Sequence, residues 1–250
     1  MKVALQFAMP SELHALPGLK DRQPSAVISG IPIYELAPDL LAACGGVGKE
    51  RAGVSFYRIR EDIIACCGGV GKVNAAMCAQ ILCRHYRADL ILNSGVAGCL
   101  TDLPIGALVL AEDFVQHDVD TTAVGDPIGL VSTVNTVTFP TWDPQRCREI
   151  RAELAHPAES GRVASGDWFA VKGHRAAWIR DTFHPVLTEM EGGAIAQVCL
   201  RNGTRFVALK SVSDHLFSER QADEYFDFGQ ALEALGRVVL PFAQRLVEEG

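Results

Sequence analysis

The 250-residue sequence lacks the features that mark several classes of protein. It has no excess of positive charge, because 23 Lys and Arg face 30 Asp and Glu, giving a formal net charge of -7 at pH 7. Without a basic face to neutralise phosphates, general binding to nucleic acid or to an acidic membrane surface is disfavoured. No apolar run is long enough for a membrane span, and Pro10, Ser11 and Glu12 interrupt the first run too early for a signal peptide. We therefore expect a cytoplasmic protein with no nucleic-acid and no membrane partner.

The eight cysteines lack the spacing of a metal site. No CxxC pair occurs, and no cysteine stands at a zinc-type distance from a histidine. Several cysteines lie in apolar runs, as buried free thiols do. We interpret them as reduced and structural, and we expect no bound metal.

A repeated string, Cys-Gly-Gly-Val-Gly-Lys at 44–49 and again at 67–72, falls short of a P-loop. That motif needs a glycine ahead of four intervening residues and the Gly-Lys, followed by Ser or Thr. Ala43 and Cys66 occupy the leading glycine position, while Glu50 and Val73 follow the lysines. The string therefore does not indicate a nucleoside triphosphate site.

Strand and helix patterns alternate along most of the chain, and 48% of its residues are hydrophobic. This is typical of one large α/β domain, which we place at residues 1–250. The first strand, at 3–9, turns at Pro10 into a helix with Ser11 as its expected N-cap. Apolar periodicity also predicts a helix after Lys72 that packs Val73, Ala76, Met77 and Ile81 against the core.

Two acidic residues flank a strand-and-helix unit at 188–214. Glu191 opens a helical pattern, 206–209 is typical of a buried strand, and Asp214 follows that strand. Ligands of open α/β sheets bind outside the carboxyl ends of the strands, so one crevice would receive both carboxylates. Taken alone, this unit is explained more simply by Asp214 capping a helix and Glu191 lying in a first turn.

The strings Glu-Met-Glu-Gly at 189–192 and Ser-Val-Ser-Asp at 211–214 resemble those of the methylthioadenosine/S-adenosylhomocysteine nucleosidases. These enzymes belong to the purine nucleoside phosphorylase and uridine phosphorylase superfamily. Further similar strings follow in the same order as in the family: Ala8-Met9 with Glu12, 69–72, 93–99, 117–125 and 165–169. The resemblance covers nearly the whole chain except roughly residues 17–60. It implies a nucleoside phosphorylase-like α/β fold with a mixed central sheet flanked by helices.

The resemblance also implies an activity, hydrolysis of the N-glycosidic bond of 5'-substituted adenine nucleosides within methionine salvage, with no cofactor. Asp214 would deliver a proton to adenine N7, Glu12 would act as the base on water, and Glu191 would bind the ribose hydroxyls. Phe169 would stack on adenine, and the main chain of Ala170 would bind the base. The remaining substrate-binding positions implied by the family are Met9, Val96, Ala97, Gly98, Glu189, Met190, Lys210 and Ser213.

The family is homodimeric, and its loop at 117–125 reaches the partner's site. Thr121 and Val124 would therefore wall the 5' pocket of the partner subunit. An aromatic residue near the start of the last helix covers the 5' end in the family, and either Tyr225 or Phe226 fits that position. His117 with its neighbouring acids is weak evidence for a metal, so we expect a structural hydrogen bond from it.

Among the positions that depart from the family pattern, two lie near the expected water: Lys210 stands where arginine is usual, and Val96 where serine or threonine is usual. They leave open a phosphorolytic purine nucleoside phosphorylase and, from another class, a nucleoside-binding protein without turnover. Phosphorolysis would need a cationic cradle for phosphate, which Glu12 would repel. The sequence does not separate methylthioadenosine, S-adenosylhomocysteine, 5'-deoxyadenosine and aminodeoxyfutalosine as the preferred substrate.

Overall fold

The computed structural model describes residues 1–20, 26–28, 31–33, 55–154, 158–217 and 226–249. The strands are β1 Val3–Phe7, β2 Ala26–Ile28, β3 Ile31–Ile33, β4 Ser55–Arg58, β5 Ile63–Cys67, β6 Leu90–Cys99, β7 Leu108–Gln116, β8 Thr138–Pro140, β9 Glu159–Ser165, β10 Leu187–Glu189 and β11 Arg205–His215. The helices are α1 Pro10–His14, α2 Lys72–Ile81, α3 Pro144–Glu153, α4 His174–Phe183, α5 Gly192–Asn202 and α6 Phe228–Glu248.

A mixed sheet forms the centre of the molecule, with strand order β10-β9-β7-β11-β6-β1-β5-β4, and β8 pairs with β7. β1 lies parallel to both β5 and β6, and β6 lies parallel to β11. β10 also pairs with β6, which closes β6, β11, β7, β9 and β10 into a ring at one end. The α/β fold with a mixed central sheet is confirmed.

The neighbouring strands β1 and β5 are buried along their whole length because both of their faces are covered. Every residue of β1 and β5 is buried, as expected for parallel strands that consist of continuous apolar runs. α6 packs against β11 and β6, and α5 packs against α2. These layers hold the carboxyl ends of β1, β6 and β11 in fixed positions, which is where the site described below lies.

Two local predictions are wrong. α1 begins with Pro10 at its first position, and its N-cap is Met9 rather than Ser11, because the fixed backbone angle of proline suits a first turn. In α2, the small residues Ala75, Cys78 and Ala79 face the core, whereas Val73 is 79% and Met77 44% exposed. Small residues let α2 approach α5 closely, so Val73 and Met77 point outward, while Ile81 packs against the core as predicted.

Two further segments are longer strands than the sequence indicates. β6 continues through the small-residue string at 93–99, although small residues usually indicate a turn, and β11 extends past 206–209 and contains Asp214. Among the described residues, no helix is long and apolar enough to cross a membrane. Seven cysteines are described and all are free, and Cys44 lies outside the described residues.

Candidate active site

A cavity of about 200 Å³ opens where the carboxyl ends of β1, β6 and β11 meet the first turns of α1 and α5. It contains most of the residues that the sequence pattern assigns to a nucleoside site. Its lining consists of Ala8, Met9, Glu12, Val70, Val96, Ala97, Gly98, Trp168, Phe169, Ala170, Thr188, Glu189, Met190, Glu191, Ser213 and Asp214. Four of these side chains are carboxyl groups with different surroundings.

Glu12 is fixed by main-chain amides at the turn from β1 into α1. Its Oε2 accepts hydrogen bonds from the amides of Ala8 and Met9, both at 3.0 Å, and its Oε1 accepts one from Val96 at 3.0 Å. The carboxylate reaches β6 because position 95 is glycine: a Cβ there would lie 2.6 Å from Oε1. Burial raises the pKa of Glu12, although Lys210 and the three amides oppose this.

Asp214 lies inside β11, beyond a bulge at which the pairing with β6 shifts by one residue. The shift puts Asp214 opposite Gly98, where a Cβ would lie 3.0 Å from Oδ2. Ser213 donates a hydrogen bond to Oδ1 at 2.7 Å, and burial raises the pKa of the carboxyl above its ordinary value. The capping interpretation is wrong for Asp214, because Asp227 caps α6 by accepting from the amide of Gln230.

Glu189 and Lys210 form a fully buried ion pair, with 3.0 Å between Nζ and Oε2. The Glu189 carboxylate also accepts hydrogen bonds from the Ser165 hydroxyl and from the amides of Glu191 and Gly192. Burial would raise the pKa of Glu189, but Lys210 and these donors outweigh burial and lower it. Protein donors thus engage both oxygens of this carboxylate, although its side chain lines the cavity.

Lys210 is the cation of the cluster. Burial alone would lower its pKa, but the carboxylates of Glu189, Glu191 and Glu12 outweigh burial and raise it. Lys210 therefore stays charged, and it gives Glu189 the counter-ion that a buried carboxylate requires.

Glu191 is the N-cap residue of α5, but its side chain does not cap the helix. Its Oε1 instead accepts a hydrogen bond at 2.8 Å from the amide of Gly71, in the turn that precedes α2. Burial, and then the negative charge of Glu189, raise the pKa of Glu191 to about 8. At neutral pH the cluster of Glu12, Glu189, Glu191 and Lys210 therefore retains a proton, which Glu191 carries.

The opposite wall of the cavity is aromatic and lies in the turn after β9. Phe169 is 69% exposed, so most of its ring is uncovered by the chain itself. The neighbouring Trp168 also lines the cavity, and its ring is held by the guanidinium of Arg175 at 4.6 Å and edge-on by His117 at 6.3 Å. An apolar slot between this turn and β6 suits a flat, weakly polar ring system.

Sequence reasoning missed Trp168, Val70, Thr188 and Ala8 as lining residues. Trp168 and Val70 occupy the variable positions inside the strings at 165–169 and 69–72, so the family pattern gives no signal for them. Ala8 belongs to the same family-like string as Met9 and Glu12, but the resemblance implies a binding position only for Met9. A period-two pattern through β10 would place the side chain of Thr188 on the other face from Glu189, yet both residues line the cavity.

The remaining predicted positions lie away from this cavity or outside the described residues. Thr121 and Val124 do not line it, and Val124 is 81% exposed. Phe226 forms a bridge with Asp214 and is 59% exposed, whereas Tyr225 lies outside the described residues. The expected hydrogen bond of His117 is wrong within the described part of the chain: both ring nitrogens are buried without a partner there, and burial lowers the pKa to about 4.

Comparisons with known proteins agree with this geometry. The sequence profile of the Phosphorylase superfamily matches residues 24–246. Over 232 residues the chain is 30% identical to the 5'-methylthioadenosine/S-adenosylhomocysteine nucleosidase of Shewanella halifaxensis, and the match covers 89% of this chain and 90% of that protein. The corresponding nucleosidase of Geobacillus kaustophilus is 38% identical over 155 residues, and the chain spans 62% of the length of that relative.

The fold is likewise shared with a solved structure. The 5'-methylthioadenosine/S-adenosylhomocysteine nucleosidase of Campylobacter jejuni superposes with a TM-score of 0.76 at 26% identity, covering 100% of both chains. The family resemblance drawn from the sequence is confirmed. The chain belongs to the Phosphorylase superfamily and, within it, to the family of 5'-methylthioadenosine/S-adenosylhomocysteine nucleosidases.

Proposed function

We propose that this protein hydrolyses the N-glycosidic bond of 5'-substituted adenine nucleosides, releasing adenine and the 5-substituted ribose. One observation carries the proposal. Two buried carboxyl groups line a single cavity, Glu12 held by three amides and Asp214 held by one hydroxyl, and burial raises the pKa of both. Two carboxyl groups in different environments are what glycoside hydrolysis needs for its acid and its base.

In this mechanism the bond between C1' of the ribose and N9 of adenine breaks while water attacks C1'. Burial raises the pKa of Asp214 against the opposing effects of Ser213 and His215, which favours the protonated form, and in this proposal Asp214 gives its proton to N7 of the leaving base. Glu12 accepts a proton from the attacking water. Lys210 and the three amides favour its carboxylate form, which a base must have.

The ribose would lie against Glu191, whose Oε1 is already positioned by the amide of Gly71. A hydrogen bond between this protonated carboxyl group and a ribose hydroxyl would contribute about 0.5 to 1.5 kcal/mol. The Glu189–Lys210 pair fixes the backbone of Glu191, since Glu189 also accepts a hydrogen bond from the amide of Glu191. We assign Glu189 to this support, although its side chain lines the cavity.

Phosphorolysis is the alternative within the superfamily, and the charge of the cavity argues against it. Among the described residues that line the cavity, none is Arg or Lys, and four carry carboxyl groups. The nearby Lys210 is already paired with Glu189. A phosphate dianion in this cavity would meet negative charge without the cationic cradle that phosphate sites use.

Val96 and Lys210 motivate the alternative of a binding protein without turnover, but Val96 contributes through its backbone. Its amide binds Glu12, and an amide does not depend on the side chain. Replacing a hydroxyl residue by valine thus removes one polar contact and keeps the base in place. This favours an active hydrolase.

Adenine release from the purified protein, with and without phosphate, separates the three functions. We expect release from methylthioadenosine at the same rate in both buffers, with the free 5-substituted ribose as the second product. Release only with phosphate, together with a ribose 1-phosphate product, would establish a phosphorylase. Tight adenine binding without release would establish a binding protein.

We also propose that the protein is a homodimer whose loop at 117–125 completes the partner's site. Large apolar side chains are exposed in the single chain: Val70 and Phe169 line the cavity, and Val73, Met77, Val124 and Val171 lie outside its lining. Single apolar residues on a surface are ordinary, but a group of them around a ligand cavity is typical of an interface. Sedimentation at micromolar concentration tests this, and an active monomer would contradict it.

The identity of the 5' substituent depends on this loop. In the proposed dimer, Thr121 and Val124 wall the partner's 5' pocket, where the family often has an apolar residue and phenylalanine. Thr121 donates a hydrogen bond to Asp126 at 2.8 Å, which directs its hydroxyl within its own loop. A smaller wall of the 5' pocket supports a broad substrate preference that includes S-adenosylhomocysteine.

We also propose a cytoplasmic location, because the free cysteines fit a reducing compartment.

A further inference from the structure

Three segments around the cavity are joined by a closed ring of hydrogen bonds that the catalytic roles above do not use. Lys72 donates from Nζ to Oδ1 of Asp118 at 2.6 Å, and Oδ2 of Asp118 accepts from the amide of Asp167 at 2.9 Å. Oδ1 of Asp167 then accepts from the amide of Lys72 at 2.7 Å. We name this ring, made by Lys72, Asp118 and Asp167, the latch.

Each side of the latch is next to a residue that would touch substrate. On one side, the amide of Gly71 directly precedes Lys72 and holds Glu191. On the other side, Asp167 precedes Trp168 and Phe169, the aromatic wall of the cavity. The latch thus ties the carboxyl group on the ribose side to the stacking residues on the base side.

Lys72 supplies the single cation of the latch and is mostly covered, with 19% of its side chain exposed. Its Nζ also donates to Oε1 of Gln116 at 3.1 Å, and Gln116 in turn donates to Gln197 of α5 at 2.7 Å. Burial would raise the pKa of Asp118, but Lys72 and the Asp167 amide outweigh burial and lower it, so the ion pair persists at neutral pH.

We propose that Lys72 is a positioning residue for the reaction, setting through the latch the distance between Glu191 and the aromatic wall. This inference rests on the proposed function for its effect on turnover. Misplacing a reacting group by about 1 Å can cost about 100-fold in rate, so a loosened latch lowers activity without removing any group that touches substrate. The second Gly-Val-Gly-Lys string therefore has a use distinct from phosphate binding.

The test compares Lys72→Met and Asp118→Asn with Lys72→Arg and with Arg148→Met. Arg148 forms an exposed ion pair with Glu112 at 2.7 Å, remote from the cavity lining, and serves as the matched control. We expect Lys72→Met and Asp118→Asn each to lower kcat/KM for methylthioadenosine by about 10- to 100-fold. Lys72→Arg keeps most of the activity because its guanidinium can reach both Asp118 and Gln116.

Two readouts separate positioning from a general loss of structure. The double variant of Lys72→Met and Asp118→Asn should lose no more activity than either single variant, because each substitution alone already opens the same ring of hydrogen bonds. Hydrogen exchange at the amides of Gly71 and Asp167 should speed up in Lys72→Met and stay unchanged in Arg148→Met. Exchange needs no turnover, so it tests the latch even if the wild-type protein releases no adenine and the proposed function fails.

Losses that multiply in the double variant, or unchanged exchange at both amides, would overturn the latch. Equal losses in Arg148→Met would also overturn it. If Lys72→Met does not fold, Lys72→Gln takes its place in each comparison, because it keeps a donor and removes the charge.

Discussion

Two carboxyl groups that line one cavity, those of Glu189 and Asp214, differ in what surrounds them. Glu189 receives an ammonium group, a hydroxyl and two amides, and these donors lower its pKa. Asp214 receives one hydroxyl and no ammonium group among the described residues, so burial dominates and raises its pKa. The donors around each group, more than its depth, decide whether it holds a charge or a proton.

This difference supports the roles proposed above. A carboxylate that is fully engaged by protein donors stabilises the site and has little capacity left for substrate. A buried carboxyl group with few donors keeps its proton and can pass it to a leaving group. Each of the following predictions alters one side of this comparison or extends it to the rim of the cavity.

The largest effect is expected for Asp214→Asn, which keeps the shape of the side chain and removes the proton that it donates. We expect kcat to fall by about 10²- to 10⁴-fold while adenine binding, measured by calorimetry, stays within a few-fold of wild type. Asp181→Asn is the control, since Asp181 is exposed and forms an ion pair with the neighbouring Arg180 at 2.8 Å. Retention of more than about a tenth of wild-type kcat in Asp214→Asn would reassign the acid.

Glu189→Gln should act mainly on stability, because it leaves the buried ammonium group of Lys210 without its closest carboxylate. Removing one member of a buried ion pair typically costs about 3 to 5 kcal/mol in the free energy of unfolding. Urea denaturation measures this loss. The double variant of Glu189→Gln and Lys210→Met should recover part of it, and a double variant as unstable as the sum of both single variants would contradict the assignment.

The proton on Glu191 predicts a pH dependence of stability. Its pKa is about 8 in the folded protein against an ordinary value of 4.5, so the folded state binds this proton more tightly than the unfolded state does. The stabilisation that this tighter proton binding gives to the folded state is complete below about pH 4.5 and is lost as the pH rises toward 8. A single group of this kind changes the free energy of unfolding by at most about 1.4 kcal/mol per pH unit.

Glu191→Gln should therefore flatten the fall in stability between about pH 5 and pH 8, relative to wild type. Urea denaturation at several pH values gives the two curves. Parallel curves for the two proteins would show that Glu191 does not carry this proton.

The smallest effect is expected at the rim of the cavity, where a substitution changes apolar contact with the 5' substituent rather than charge. In the proposed dimer, Val124→Phe would cover more of a methylthio group, at roughly 25 cal/mol for each Å² of area removed from water. We expect kcat/KM for methylthioadenosine to rise relative to S-adenosylhomocysteine by about tenfold or less. An unchanged ratio would indicate that Val124 does not reach the partner's pocket.

The sequence predicted the fold class, the family and the strands at 3–9 and 206–209, close to Glu12 and Asp214, because long apolar runs and ordered motifs are local signals. It did not predict that β6 runs through the string at 93–99. Small residues usually indicate a turn, but here they make room inside a strand for the carboxyl groups of Glu12 and Asp214. Such a reason depends on contacts between segments far apart in the chain.

The orientation of α2 was wrong for a related reason. The periodicity of Val73 and Met77 identifies an apolar stripe but does not say which surface covers it. The ion pair of Glu189 with Lys210 was equally hidden, since the motif shows the residues and not their hydrogen bonds. Local sequence patterns thus identified the residues of the site. Which of them are charged and which carry a proton depends on contacts that only the folded structure shows.

The space above Gly95 has a consequence for how this chain can change over generations. A single added methyl group at that position would meet Oε1 of Glu12 at 2.6 Å and push the carboxylate away from its three amides. The strand around it would still pair and the core would still pack. Under the proposed function, variants at position 95 would therefore accumulate as folded proteins that have lost catalysis, so a screen for stability or expression would retain them and an assay for adenine release would be needed to find them.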